Sequence, residues 1–494
     1  MQAVYKIHEK DNVIVAIEEI TKGEKIKIEN NEITVLADIP AGHKIALTNI
    51  RAGEIIRKYG FPIGTAKENI AKGSWVHTHN TKSRLGELLE YRYEPDLPEK
   101  TIKKTYEFMG YKRHDGKIGI RNEVWIIPTV GCVNAIAREI ETQAVQYQTP
   151  TIDGIYAYSH PHGCSQLGDD QLCTQKLLSG LVQNPNAGAV LVLGLGCENN
   201  QIELMKKIIG DYDKNRVKFL ICQDHEDEIK AGLSLMKELC NYAGQFKRET
   251  CSARHLILGL KCGGSDGLSG ITANPLVGKI SNKIIAAGGT SILTEVPEMF
   301  GAETLLMNRC RNKEIFDKTV KLINNFKNYF MRYGEKINEN PSPGNKAGGI
   351  TTLEDKSLGC IQKGGSAIIE DVLNYGDRVK GQGLQLLQAP GNDLVAANAL
   401  AAAGAQMVLF TTGRGTPFAC PVPTIKIASN SKLAAFKKNW IDFNAGELVQ
   451  GRKMEDVADE FFQYILDVAS GRIKAKSEAM DKHELAIFKD GVTL

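Results

Sequence analysis

Beyond residue 106 the chain repeats one device: a short apolar run, a turn of glycine with a thiol, imidazole or charged side chain, then a helical stretch. Glu123–Val130 runs into Gly131-Cys132-Val133-Asn134 and the helical Ala135–Gln143, and Gly154–Ser159 into His160-Pro161-His162-Gly163-Cys164. Ala189–Leu195 ends in Gly196-Cys197-Glu198, and Val217–Cys222 in Gln223-Asp224-His225. Leu256–Leu260 leads to Lys261-Cys262-Gly263-Gly264-Ser265-Asp266, Ser291–Thr294 to Glu295-Val296-Pro297-Glu298, and Met407–Thr411 to Thr412-Gly413-Arg414. Strands alternating with helices predict βαβ units on parallel sheets. Ligands of such sheets sit outside the carboxyl ends of the strands, where these turns fall.

The front of the chain follows a different grammar. Val13–Ile17, Glu24–Ile28 and Glu32–Val35 are short β-branched runs between charged or glycine-bearing turns, and no long helical period appears before residue 92. This predicts a small β-rich domain over 1–92. Residues 93–105, with Glu94-Pro95-Asp96-Leu97-Pro98-Glu99-Lys100, read as a linker. A Rossmann-like α/β domain over 106–248 and a second α/β domain over 249–494 follow. The 494 residues exceed the size at which one core stops growing, about 250–300 residues. No repeat of 20–50 residues is visible, which excludes solenoids and propellers.

Charge and cysteine usage narrow the functional classes. The formal net charge is +3, from 61 Lys plus Arg against 58 Asp plus Glu, so electrostatics make no case for nucleic acid or a membrane surface. The most apolar stretches, Ala189–Gly196 and Leu400–Thr412, fall short of the roughly 20 residues that span a bilayer. Met1 to Asn12 lack the apolar segment of a secretory signal. The 11 cysteines form no C-x-x-C pair, which argues against a disulfide framework and a zinc ribbon and suits a reducing cytoplasm. Neither a dinucleotide fingerprint, a P-loop, a G-x-S-x-G elbow nor an H-E-x-x-H helix is present.

Candidate chemistry gathers in a few places. His77 and His79 would share one face of a strand, and His43 lies in a turn that a β-rich domain could bring beside them. Three imidazoles suit Fe(II), Mn(II) or Zn(II), although surface histidines bonded to their neighbours are the plainer reading. His160 and His162 share a proline-stiffened turn with Cys164. Lys261 and Glu295 lie at strand ends where burial moves a lysine down or a glutamate up towards neutrality, making them acid–base candidates.

With these features stand the run Gly110 to Asn122 (GYKRHDGKIGIRN) and the segments HPHGC, LGLGCENNQ, LKCGGSDGLSGITANP, TEVPEMFGAE, NPSPGNKAGGITTLEDKSLGC, APGNDLVAANALAAAGAQMVLFTTGRGTPF and WIDFNAG. Together they resemble the altronate/galactarate dehydratase family. GHKIAL and VHTHN near the front resemble the small SAF domain that opens the same enzymes. The resemblance implies a hydro-lyase that uses Fe(II) or Mn(II) to convert D-altronate to 2-dehydro-3-deoxy-D-gluconate. It admits galactarate or sulfolactate as a substrate, and a non-catalytic sugar-acid sensor as a rival of another class.

Within that frame His43, His77 and His79 are expected to hold the metal, and His160, His162, Lys261 and Glu295 to move protons. Gly263, Gly264, Ser265, Asp266, Asn392, Asp393 and Arg414 are expected to bind substrate. The alternative centre is a labile iron–sulfur cluster on Cys132, Cys164, Cys197 and Cys262, at spacings that match no ferredoxin pattern. The expected partner is a small sugar acid, with a homo-oligomer as the possible assembly.

Overall fold

The computed structural model describes residues 3–28, 31–86, 88–98, 104–480 and 484–493. The front of the chain is β-rich, as its β-branched runs predict. Val4–Tyr5, Val13–Ala16, Lys44–Ala46 and Trp75–Val76 form one antiparallel sheet in that order. Ile55–Lys58, Phe61–Ala66 and Thr81–Lys82 form another, and Lys25–Ile28 pairs with Asn31–Thr34.

A short internal repeat emerges here that its irregular spacing hides in the sequence. Ile20, Ile39, Ile50 and Ile70 each precede by three residues a glycine with positive φ, namely Gly23, Gly42, Gly53 and Gly73. The isoleucines pair as antiparallel bridges, Ile20 with Ile39 and Ile50 with Ile70. Each motif thus turns the chain and drops one buried isoleucine into the domain.

The middle region is a four-stranded parallel sheet in the order Gly154–Ala157, Glu123–Pro128, Ala187–Gly194, Val217–Ile221. Helices Asn134–Ala144 and Glu228–Ala243 pack together on one layer, and Gly168–Val182 and Ile202–Ile209 on the other. Both faces being covered, the strands read as continuous apolar runs rather than alternating ones.

A seven-stranded parallel sheet builds the last region: Ile369–Leu373, Gly383–Leu387, Thr290–Leu293, Ile257–Cys262, Met407–Thr412, Thr424–Ala428, Phe443–Asn444. Strand order reverses between Ile257–Cys262 and Met407–Thr412, which opens a crevice at their carboxyl ends. The alanine-rich helix Asp393–Ala402 packs on Gly168–Val182, so that middle and last regions share one apolar core. Val13, Ile56, Ile63 and Val76 of the front domain join Leu276, Met299 and Leu358 in a second common core. The Met454–Ala469 helix, whose alternation of charge and apolar residues suggests a surface helix, buries Val457, Phe461 and Ile465 beside Ala273–Ala286. No helix among the described residues is long and apolar enough to cross a membrane.

Candidate active site

The crevice predicted by strand order is occupied by charge. Lys261, the penultimate residue of its strand, is fully buried and pairs with Glu295 and, at 2.9 Å, with Asp393 Oδ1. Its ammonium also donates to the Cys262 carbonyl at 2.6 Å. Burial alone would lower its pKa, but Glu295, Asp393 and Glu298 outweigh that and raise it. The expectation of a lysine lowered towards neutrality is therefore corrected: Lys261 is a fixed cation, not a base.

Glu295 is held in the left-handed region at φ 69°, a strained conformation for a residue with a side chain. The turn aims its carboxylate inward, where it accepts from the Cys262 N–H at 2.9 Å and pairs with Lys363 at 3.2 Å. Each of its oxygens is thus engaged by a buried cation or amide.

One turn farther, Glu298 collects a cluster that the sequence reading did not assemble. Its Oε2 lies 3.1 Å from both Cys262 Sγ and Cys360 Sγ, and the two sulfurs are 3.5 Å apart. Its Oε1 pairs with Lys356 at 2.8 Å. Burial pushes the Glu298 carboxyl up, but Lys356, Lys261 and Lys363 outweigh it and hold it well below the usual carboxylate range. Hydrogen bonding to Cys262, burial and nearby negative charge keep the Cys360 thiol well above its ordinary value. Lys363 donates to Cys262 Sγ at 2.9 Å. Cys262, Glu298 and Cys360 bring three ligand atoms within 4.8 Å of one another, as a metal ion requires.

Over this cluster opens a cleft of about 910 Å³ lined by Gly263, Gly264, Glu298, Lys356, Asn392 and Asp393. Lys356 donates to Asn340 and Asn345 at 2.9 and 3.1 Å, which fixes its ammonium at the wall. Of the expected substrate residues, Gly263, Gly264, Asn392 and Asp393 meet here. Asp266 instead accepts from Ser269, Ser429 and Asn430 and ties loops together. The Ser265 hydroxyl is buried without a partner, and Arg414 is exposed, its N–H donating to the Gly264 carbonyl.

The histidines fall elsewhere. His77 and His79 follow the Trp75–Val76 strand in a turn, not a strand, so the shared-face argument does not apply. His43 and His77 do meet, with ring centroids 5.0 Å apart, but at the seam between front and last domains. Trp75 Nε1 donates to His43 Nδ1, and His43 Nε2 lies 3.2 Å from the Ala347 carbonyl, which it can only donate to. No lone pair of His43 is left for a metal. His77 faces Thr351 at 3.4 Å, and burial with nearby Lys44 and His43 pulls its pKa down to about 3.

His160 is likewise saturated. Its Nε2 lies 2.8 Å from the Pro128 carbonyl and its Nδ1 accepts from the His162 N–H. Burial drags it down to about 4, so this ring is a neutral brace of its turn rather than an acid or base. His162 is half-buried and lowered for the same reason. The four-thiol set does not form either: Cys262 is buried beside Glu298, whereas Cys132, Cys164 and Cys197 are exposed on the middle sheet.

Reasoning from sequence missed Lys356, Cys360 and Lys363. They sit on the Leu353–Cys360 helix and the turn after it, and that helix is buried all round despite carrying Glu354, Asp355 and Lys356. Its only sequence signal was its place in one of the longest family-like segments.

A strand-order reversal crowned by lysines, carboxylates and thiols, beneath a cleft of small-molecule size, defines an enzyme of acid–base or metal-assisted chemistry. Residues 2–84 match the altronate/galactarate dehydratase SAF domain, 110–244 the second domain of D-galactarate dehydratase/altronate hydrolase, and 253–493 the D-galactarate/altronate dehydratase C-terminal domain. The chain is 53% identical to altronate dehydratase of Escherichia coli over 99% of both chains, and 52% identical to that of Bacillus subtilis over the full length of both. Galactarate dehydratase (L-threo-forming) of Escherichia coli is 34% identical over 98% of this chain and 96% of its own. The chain belongs to the altronate/galactarate dehydratase family.

Proposed function

We propose that the protein dehydrates D-altronate to 2-dehydro-3-deoxy-D-gluconate, with the reaction in the cleft above Glu298. The observation that carries this reading is the cleft wall where Lys356 pairs with Glu298, above the buried Lys261 and Lys363 at the strand-order reversal, in a chain 52–53% identical end to end to two altronate dehydratases. The lower identity to the galactarate enzyme, 34%, favours altronate over galactarate.

The chemistry follows from the substrate. Removing the C2 proton beside a carboxylate puts further negative charge on that carboxylate, which fixed cations stabilise most in a water-poor site. Lys356 lines the cleft and is raised by Glu298 against its burial, so it stays charged to anchor the acid end of the substrate. Asp393 also lines the cleft, is partly exposed, and has one oxygen fixed by Lys261. We assign it the C2 proton, which it then hands to the departing C3 hydroxyl, so that water leaves and the enol relaxes to the ketone. Asn392 caps the helix that begins at Asp393 by accepting from Val395 N–H at 3.1 Å, which holds this wall in place.

A divalent metal fits the donors present: Cys262, Glu298 and Cys360 would hold it, and two thiolates favour Fe(II) over the harder Mn(II). Such an ion supplies Lewis acidity to the acid end of the substrate. The free thiols of all 11 cysteines suit a reducing compartment, which supports the cytoplasm. The middle sheet, over 106–248, has the 2-1-3-4 strand order of flavodoxin-like doubly wound folds, so what supports a Rossmann-like reading there is the parallel sheet covered by helices on both faces, not the strand order. The front domain over 1–92, the linker over 93–105 and the last domain over 249–494 complete the division.

The test is a product assay for 2-keto-3-deoxy acids with altronate, galactarate, mannonate and gluconate, with and without chelator. Turnover of altronate above the others, abolished by chelation and restored by Fe(II), is expected. Asp393→Asn should lower kcat about 10²–10⁴-fold without changing the iron content. Absence of product from every acid would instead favour a sensor.

A further inference from the structure

The middle sheet carries three Gly-Cys turns that the cleft chemistry does not use. Gly131-Cys132, Gly163-Cys164 and Gly196-Cys197 follow the strands Glu123–Pro128, Gly154–Ala157 and Ala187–Gly194, which are adjacent in the sheet and parallel. All three thiols therefore emerge at one carboxyl edge, on chains about 4.8 Å apart. All three are exposed, whereas most of the other cysteines are buried.

A dense polar clip holds the three turns against one another. Gly131 N–H donates to the His162 carbonyl and Asn200 N–H to the Gly163 carbonyl, both at 2.9 Å. Asn200 Nδ2 donates to Thr129 O at 2.9 Å, and Ser165 N–H to Asn199 Oδ1 at 2.8 Å. Buried Glu198 accepts from Thr129 Oγ1 and from the Leu195 and Gly196 amides. Gly163 cannot carry a side chain, since a Cβ would stand 2.0 Å from the Thr129 carbonyl at a φ of +104°. Two fully buried polar atoms of the clip, Gln166 Nε2 and Asn200 Oδ1, have no partner. Exposed thiols without a ligand need no such scaffold.

The spacing discriminates among ligands. Thiolates on one tetrahedral ion at 2.3 Å lie about 3.8 Å apart. Among the described residues, only Cys262, Glu298 and Cys360 bring three donors within 4.8 Å of one another, so the three turn thiols as a set are spaced more widely than that. Thiolate donors at wider spacing suit an iron–sulfur cluster.

We propose that Cys132, Cys164 and Cys197 bind a four-iron, four-sulfide cluster at the carboxyl edge of the middle sheet, with one iron left to an oxygen ligand from solvent. The proposal is independent of the reading of the C-terminal cleft. It replaces the four-cysteine set expected from sequence with a three-cysteine one.

The full-length protein, purified without oxygen and reconstituted with Fe(II) and sulfide, tests it. Wild type should hold about four acid-labile sulfides per chain and a broad absorption band near 400 nm, with an EPR signal after dithionite reduction. Cys132→Ala, Cys164→Ala and Cys197→Ala should each lose the band and the labile sulfide while eluting as wild type on gel filtration. Cys173→Ala, in the same domain, and Cys360→Ala, in the other metal candidate, should keep both. Iron or zinc without labile sulfide in wild type would overturn the proposal, as would a full spectrum in any of the three turn variants. Loss of activity in Cys360→Ala with an intact cluster spectrum would separate the cleft metal from this one.

Discussion

At the scale of single residues, the buried imidazole of His160 makes acid stability a direct readout of the middle domain. Its folded pKa of about 4 lies below the ordinary 6.5, because burial disfavours the charged ring. Between those values the unfolded chain takes a proton that the native chain refuses, so stability falls as the pH drops from 6.5 towards about 4. The contribution is about 1.4 kcal/mol for each unit of descent. Urea midpoints from pH 7 to 5 should fall accordingly, and His160→Asn should be less stable at pH 7 yet flatter with pH. An equally steep profile in the variant would move the effect to other groups. The sequence placed this ring at a strand end but not its role, because only tertiary structure puts Pro128 O and the His162 amide on its two nitrogens. The same limit explains Lys261: its position was legible, whereas the three carboxylates that raise its pKa arrive from two other strand-end turns, Glu295 and Glu298 from one and Asp393 from another.

At the scale of elements, alternation and strand-end chemistry were the most readable features. Glu123–Val130 and Met407–Thr411 predict strands observed at Glu123–Pro128 and Met407–Thr412, because buried parallel strands leave an unbroken apolar run. The Leu353–Cys360 helix was illegible for the opposite reason, since Asp355 and Lys356 are buried against oppositely charged partners more than fifty residues away. Less visible still was how two loops dock. Gly42, at φ +83°, backs onto Gly267 and Gly348, and a Cβ on Gly267 would fall 1.8 Å from the Gly42 carbonyl. That carbonyl is backbone and cannot swing aside, so Gly267→Ala must push the front domain off the last one. Limited proteolysis should then cut between residues 85 and 98 faster than in wild type, and altronate turnover should fall together with it. Unchanged cleavage would mean that the loops relax locally instead.

At the scale of the whole molecule, the front domain is tied to the rest by a fully buried charge cluster. Lys44 and Lys58 of the front domain reach Asp355 at 2.8 and 3.0 Å, and all three side chains are at most 1% exposed. Burial pushes the Asp355 carboxyl up, but the two ammoniums outweigh it and hold it well below the usual carboxylate range. Its folded value lies below the unfolded 3.8, so its stabilisation is complete above that pH and is lost only in stronger acid. Asp355→Asn keeps the volume and strands two buried cations, and breaking a buried pair in this way costs about 3–5 kcal/mol. The penalty falls on the docked state, because a separated front domain would return both lysines to water. Differential scanning calorimetry at pH 7 should therefore resolve an early transition for the front domain in Asp355→Asn, ahead of the main one. Asp355→Glu, which restores the charge at a longer reach, should recover part of the coupling. A single transition at the wild-type temperature in Asp355→Asn would mean that the shared apolar core of Val13, Ile56, Leu276 and Met299 holds the domains together without the charges.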